Sequence, residues 1–147
     1  MKQCRNNVFE TNSSSVHAIS INKDGLEPSK LYVNKNDEIV VELGSFDCNG
    51  ELTTQYEKLS YLMTCMYYVE PTIVRDYDYC PWYDCVKDAI CEYADAEDIV
   101  ITNVDNAYID HQSAPNFASD IIIDIYDKDS VIDFVFNKYV ALKMSRD

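Results

Sequence analysis

Thr53-Thr54-Gln55-Tyr56-Glu57-Lys58-Leu59-Ser60-Tyr61-Leu62-Met63-Thr64-Cys65-Met66-Tyr67-Tyr68 is the stretch on which the fold turns. Leu59, Leu62, Met63 and Met66 recur at three- and four-residue intervals, with Tyr56 above them, which is the spacing of one helix face. Thr53 or Thr54 offers a side-chain oxygen to the first unbonded amides, so either residue is a suitable N-cap. The pattern predicts a helix running to about Tyr68 with its apolar stripe in the core. Before it, Glu38 to Leu43 (EIVVEL) reads as a strand and Gly44 to Gly50 as a loop. Lys30 to Val33 is expected to pair with that strand across an Asn34-Lys35-Asn36 turn, and Val16 to Ile21 alternates as a further strand.

On the other side, Pro81 suits the first turn of a second helix, because its missing amide would have had no partner there. Val86, Ala89, Ile90 and Tyr93 form its apolar face, and Asp84, Lys87, Asp88 and Glu92 point elsewhere. Asp98 to Val104 (DIVITNV) reads as a strand, followed by a short one at Tyr108-Ile109. Residues 120–126 fit a strand or a helix. Ser130 is a candidate N-cap for a short helix carrying Val131, Phe134 and Val135, and Tyr139 to Lys143 reads as a last strand. The expectation is an α+β fold, a mostly antiparallel sheet with two or three helices packed on it, forming a single domain over residues 1–147.

Composition bounds what such a domain does. The 147 residues are 47% apolar and 26% charged, a globular balance. Against 12 Lys and Arg stand 26 Asp and Glu, a formal net charge of −14. A chain this acidic repels phosphate backbones, which argues against direct binding of nucleic acid or of an anionic membrane. The charge is also unevenly placed. Residues 70–133 hold 16 acids and 3 bases, a net of −13, whereas residues 1–69 hold 9 acids and 6 bases, a net of −3. The opening MKQCRNNVFETNSSS has no apolar core of a secretory signal, and no run approaches the roughly 18 apolar residues of a membrane helix. A bacterial cytosolic setting is expected, with the six cysteines as thiols or metal ligands.

The candidate chemistry is sparse. Two histidines occur, His17 where the first strand begins and His111 just after Tyr108-Ile109. Each alone reads as structural. Were their strands neighbours, both imidazoles would meet at one sheet end. Cys80-Pro81-Trp82-Tyr83-Asp84-Cys85 offers two thiolates at a spacing just outside that of a zinc knuckle. His17, His111, Cys80 and Cys85 are therefore the expected zinc ligands. Alternatively, His17 and His111 serve a metal-dependent hydrolase or nucleotide-processing enzyme, one imidazole acting as base towards a hydroxyl. No P-loop, GxGxxG, HExxH or GxSxG is present. The acidic block suggests binding instead. Asp76, Asp78, Asp84, Asp88, Glu92, Asp95, Glu97 and Asp98 could stand in for phosphates before a Lys/Arg-lined surface, with Tyr77, Tyr79, Trp82, Tyr83 and Tyr93 as interleaved anchors. The bland alternative is a solvated face that aids solubility.

Val8-Phe9-Glu10-Thr11-Asn12-Ser13-Ser14-Ser15-Val16-His17 resembles the opening of a family of small proteins from phages and Gram-positive bacteria. Lys58-Leu59-Ser60-Tyr61-Leu62, Tyr108-Ile109-Asp110-His111-Gln112-Ser113 and Phe134-Val135-Phe136-Asn137 are similar to further motifs of that family. Glu42-Leu43-Gly44-Ser45-Phe46-Asp47-Cys48 matches another only loosely. The resemblance implies that Asn12, Ser13, Ser14, Ser15, His17, Asp110, His111 and Gln112 belong to one polar feature. Its mobile-element setting, joined to the acidity and small size, is similar to that of anti-CRISPR inhibitors. The expectation is a non-enzymatic inhibitor that binds a basic surface of a bacterial CRISPR effector nuclease of type II and is braced by zinc.

Overall fold

Thr54 caps the central helix α1 (Gln55–Val69) in the computed structural model of the chain. The Thr54 hydroxyl accepts the Glu57 amide at 3.1 Å, and the Glu57 carboxylate accepts the Thr54 amide at 3.1 Å. This reciprocal pair satisfies two amides that the start of a helix leaves without intrahelical acceptors. The structure describes residues 8–11, 16–17, 23–46, 50–74, 80–109 and 125–144. Every residue of α1 from Lys58 to Met66 is buried, so it is enclosed on all sides rather than along one stripe.

Two further helices surround it. Helix α2 (Pro81–Ala94) carries Pro81 in its first turn, as expected, and turns Tyr83, Val86, Ala89 and Ile90 inwards. Helix α3 (Lys128–Phe136) is capped by Asp127, whose side chain accepts the Asp129 amide at 3.0 Å. Ser130, the cap expected from the sequence, lies inside the helix, because Asp127 offers an equally good oxygen one turn earlier. Val131, Phe134, Val135 and Phe136 of α3 are fully buried.

The strands are β1 (Val8–Thr11), β2 (Val16–His17), β3 (Glu38–Glu42), β4 (Ser45–Phe46), β5 (Gly50–Leu52), β6 (Asp98–Thr102), β7 (Tyr108–Ile109) and β8 (Ala141–Met144). They form a four-stranded sheet in the order β2-β1-β8-β5 and two pairs, β3-β6 and β4-β7. The fold is α+β, but the antiparallel expectation needs correction. Among the described residues β1-β8, β3-β6 and β4-β7 are parallel, and only β1-β2 and β5-β8 run antiparallel. The reason is connection length: parallel neighbours need a long crossover, and α1 and α2 lie between β3 and β6. Burial alternates along β3, with Ile39 and Val41 inside and Val40 outside.

Lys30 to Val33 forms no strand. The turn beyond it does form: the Asn34 amide donates to Glu38 O at 2.9 Å and the Asp37 amide to Asn34 O at 2.9 Å. Instead of pairing with β3, the segment crosses the start of α1. The Lys30 amide donates to Gln55 Oε1 and Gln55 Nε2 to Pro28 O. Leu26 bridges to Asn137 beyond α3. Gly25 is packed so closely there that a Cβ would overlap Asn137 Oδ1 and the Tyr139 ring.

Candidate functional site

Asp84, Asp88 and Glu92 recur every fourth residue along α2, and Asp95 follows as its C-cap. This spacing places all four on one side of the helix, opposite Tyr83, Val86 and Ile90. Asp88, Glu92 and Asp95 are exposed and Asp84 is half-buried. The helix dipole favours acids at its N-terminus, which Asp84 satisfies, and opposes them at its C-terminus, where Glu92 and Asp95 sit with no base in the last turn. Lys128, at the start of α3, meets Glu92 across the surface at 2.7 Å, and its ammonium holds the Glu92 carboxyl below its ordinary range. Lys87 pairs with Asp98 at 3.3 Å beyond the stripe.

The aromatic side chains expected among these acids are elsewhere. Tyr83 is buried, and Trp82 and Tyr93 pack against the core. The Tyr93 ring stacks on Phe136 at 4.3 Å between centroids, and its hydroxyl donates to Glu27 O at 2.7 Å. Tyr83, Val86, Ile90 and Tyr93 share the apolar face, which pulls the aromatics in as it turns the acids out. Asp76, Tyr77, Asp78 and Tyr79 lie outside the described residues.

Of the expected zinc ligands, His17 is placed by its backbone in the edge strand β2, opposite Glu10 of β1. His111 lies outside the described residues, as do Asn12, Ser13, Ser14, Ser15, Asp110 and Gln112. The strands that introduce the two histidines are not neighbours, since β2 pairs with β1 and β7 with β4. Cys80 is the N-cap of α2 and buried, and Cys85 is half-buried one turn on. Burial pushes the Cys80 thiol up, the Tyr83 and Trp82 amides pull it back in part, and Glu70 and Asp84 push it further up. A metal there would have to displace that proton. Among the described residues no three His, Cys, Asp or Glu side chains are grouped to hold a metal ion.

A second location went unnoticed in the sequence. Lys58, 1% exposed, donates to Asn137 O at 3.0 Å and Val140 O at 2.8 Å. Its ammonium thus meets the carbonyl of Asn137, the C-cap of α3, where a cation is favourable, and a second carbonyl just before β8. Burial lowers its pKa to about 8, and Glu27 opposes that shift from a distance. Lys58 lines a cavity of about 300 Å³ bounded by Glu27 and Lys30, the first turn of α1 and the end of α3. The available signal was local: Lys58, Tyr61, Leu62 and Cys65 form a second apolar row on α1.

No known protein family matches the chain, and comparison with curated proteins and with solved structures gives no match either.

Proposed function

We propose that the protein is a binding protein that presents the acidic face of α2 to a basic, nucleic-acid-handling surface of another protein. The observation that carries this reading is the acid stripe continued against the helix dipole, through Glu92 to Asp95. Glu92 is answered by Lys128, but Asp88 and Asp95 form no ion pair among the described residues and extend the row towards the unfavourable end of the helix dipole, and a surface that replaces phosphates before Lys and Arg side chains needs carboxylates in a row. The charge excess of residues 70–133 supports the same reading. In its most specific form, which rests on a likeness of acidity and small size to anti-CRISPR inhibitors and not on a motif, the partner is a type II CRISPR effector nuclease whose DNA contact is blocked. The reading needs no metal.

Inhibition of DNA cleavage by such an effector, beside direct binding, tests the proposal. Asp84→Lys, Asp88→Lys and Asp95→Lys combined should weaken binding by roughly a hundredfold or more, since each reversed contact costs on the order of 1 kcal/mol or above. The circular dichroism spectrum should stay that of the parent. Binding by the triple variant at parental strength would exclude the α2 face, and a parent that binds no effector would exclude this partner.

A further inference from the structure

The C-terminal end of α1 opens onto a pocket lined by no residue of α2. Thr64, Tyr67 and Tyr68 of α1, Pro71 of the turn that follows, and Ala107 and Tyr108 where β7 begins border about 200 Å³ there. We propose that this pocket receives the guanidinium of an arginine side chain from a partner protein. One backbone link fixes its two walls. The Gly44 amide donates to the Thr64 hydroxyl at 3.1 Å, and the Gly44 carbonyl accepts the Tyr108 amide at 3.0 Å. Side chains alternate along β7, so Ile109 turns into the core and Tyr108 outwards, 51% exposed. Tyr68, in the last turn of α1 beyond the buried run that ends at Met66, is 49% exposed. Three tyrosines thus border one opening, and all three are unengaged. Among the described residues none of Tyr67, Tyr68 and Tyr108 stacks on another ring, lies under a lysine or bonds a protein group through its hydroxyl. By contrast, Tyr56 accepts the Glu42 amide, Tyr93 stacks on Phe136, and Tyr139 lies under Lys138.

The chemistry of the lining selects the charge of the occupant. Among the described residues it holds no lysine or arginine, and the Thr64 hydroxyl donates its hydrogen to Ser60 O at 2.7 Å. An anion would find phenols as its only side-chain donors there. A cation finds ring faces, whose negative quadrupole attracts it, and phenol oxygens that accept its hydrogens. The surrounding charge acts in the same sense. Glu70, between Tyr68 and Pro71 in sequence, is bonded by the Thr72 hydroxyl at 2.8 Å and meets no base among the described residues, and the whole chain carries −14. Arginine suits the rings better than lysine, because a guanidinium is planar, weakly hydrated and stacks on aromatic faces. The volume is roughly that of seven liquid waters, too small for a drug-sized ligand and enough for one guanidinium with part of its stem. The inference does not rest on the acidic face of α2, whose residues line none of this pocket.

Two end-blocked tripeptides test this on the intact chain, Gly-Arg-Gly and its citrulline counterpart, which is neutral and nearly the same shape. Each is titrated at constant ionic strength and neutral pH while the ring signals of isotope-labelled tyrosine are followed by NMR. The expected result is saturable shifts of Tyr68 and Tyr108 with the arginine peptide, and binding weaker by roughly fivefold or more with citrulline. Tyr68→Ala and Tyr108→Ala should each weaken arginine binding by roughly threefold or more. Tyr108→Leu keeps apolar bulk without a ring face, so it should lose about as much, and it keeps the test valid should an alanine variant fail to fold. Tyr32→Ala, at a tyrosine 79% exposed and outside the pocket, should leave affinity unchanged. The peptides involve no effector, so the outcome is independent of whether α2 binds one. Equal affinity for the arginine and citrulline peptides would overturn the cation. No saturable shift at Tyr68 or Tyr108, or a loss shared equally by Tyr32→Ala, would overturn the site altogether.

Discussion

A side chain at position 25 would occupy space that Asn137 already fills. Asn137 is fully buried, and its Oδ1 accepts the Tyr139 amide at 2.9 Å, so it has little freedom to retreat. Gly25→Ala should destabilise the fold by about 1–3 kcal/mol, the range for an added methyl in a packed site. Urea denaturation measures it, and an unchanged midpoint would contradict the close packing of 25 on 137. Lys58 shows why single residues are harder to read than patterns. A lysine in a helix is ordinarily exposed, and its residue type says nothing of carbonyls 79 and 82 residues away that accept from it. The acids of α2 were legible for the opposite reason. Their four-residue interval is contained within one helix and needs no knowledge of the rest.

At the scale of elements, the cap of α1 is the most exposed to test. Thr54→Ala removes the hydroxyl that accepts the Glu57 amide and should cost about 0.5–2 kcal/mol, read as a lower thermal midpoint. The Glu57 carboxyl is held below its ordinary range chiefly by the Thr54 amide. A carboxylate with a lowered folded pKa stabilises at neutral pH and loses that contribution as the pH falls through the folded value. Thr54→Ala keeps that amide, so its cost should change little in acid, whereas the cost of Glu57→Ala should shrink there. α1 and α2 were readable because caps, a first-turn proline and apolar spacing are local signals. α3 was readable in its apolar residues but not in its start, since Asp127 and Ser130 are both good caps one turn apart. Strand direction was not readable. Branched residues in EIVVEL and DIVITNV suit parallel and antiparallel neighbours alike, and the pairing Glu38↔Asp98 spans two helices. The candidate metal site depended on such pairing too, through two strands that belong to different sheets.

For the whole molecule, alkaline pH sets opposing terms against each other. Cys91 is pushed up to about 11 by burial and then by Asp98, and Tyr83 is pushed up by burial and then by the same carboxylate. Above about pH 9 the unfolded chain releases these protons before the folded one does, so stability falls as pH rises. Lys58 runs the other way. Its folded pKa of about 8 lies below the ordinary lysine value of about 10.4, so between those values the unfolded chain holds more protons and its term grows with pH. Thermal midpoints from pH 7 to 11 should fall above about 9. Cys91→Ala should make that fall shallower and Lys58→Met should make it steeper. A fall of the same slope in all three proteins would contradict these assignments. The four-stranded sheet carries one more consequence, for synthesis. β8 lies between β1 and β5, and its register joins Val8 to Ala141. A ribosome makes β1 early and cannot supply its parallel neighbour until residues 141–144 have emerged, so this sheet closes after translation of the segment rather than during it. A product cut short before residue 141 would leave β1 and β5 on either side of an empty lane. Two strand edges would then be open to other chains, and such fragments would aggregate rather than persist as smaller folded units.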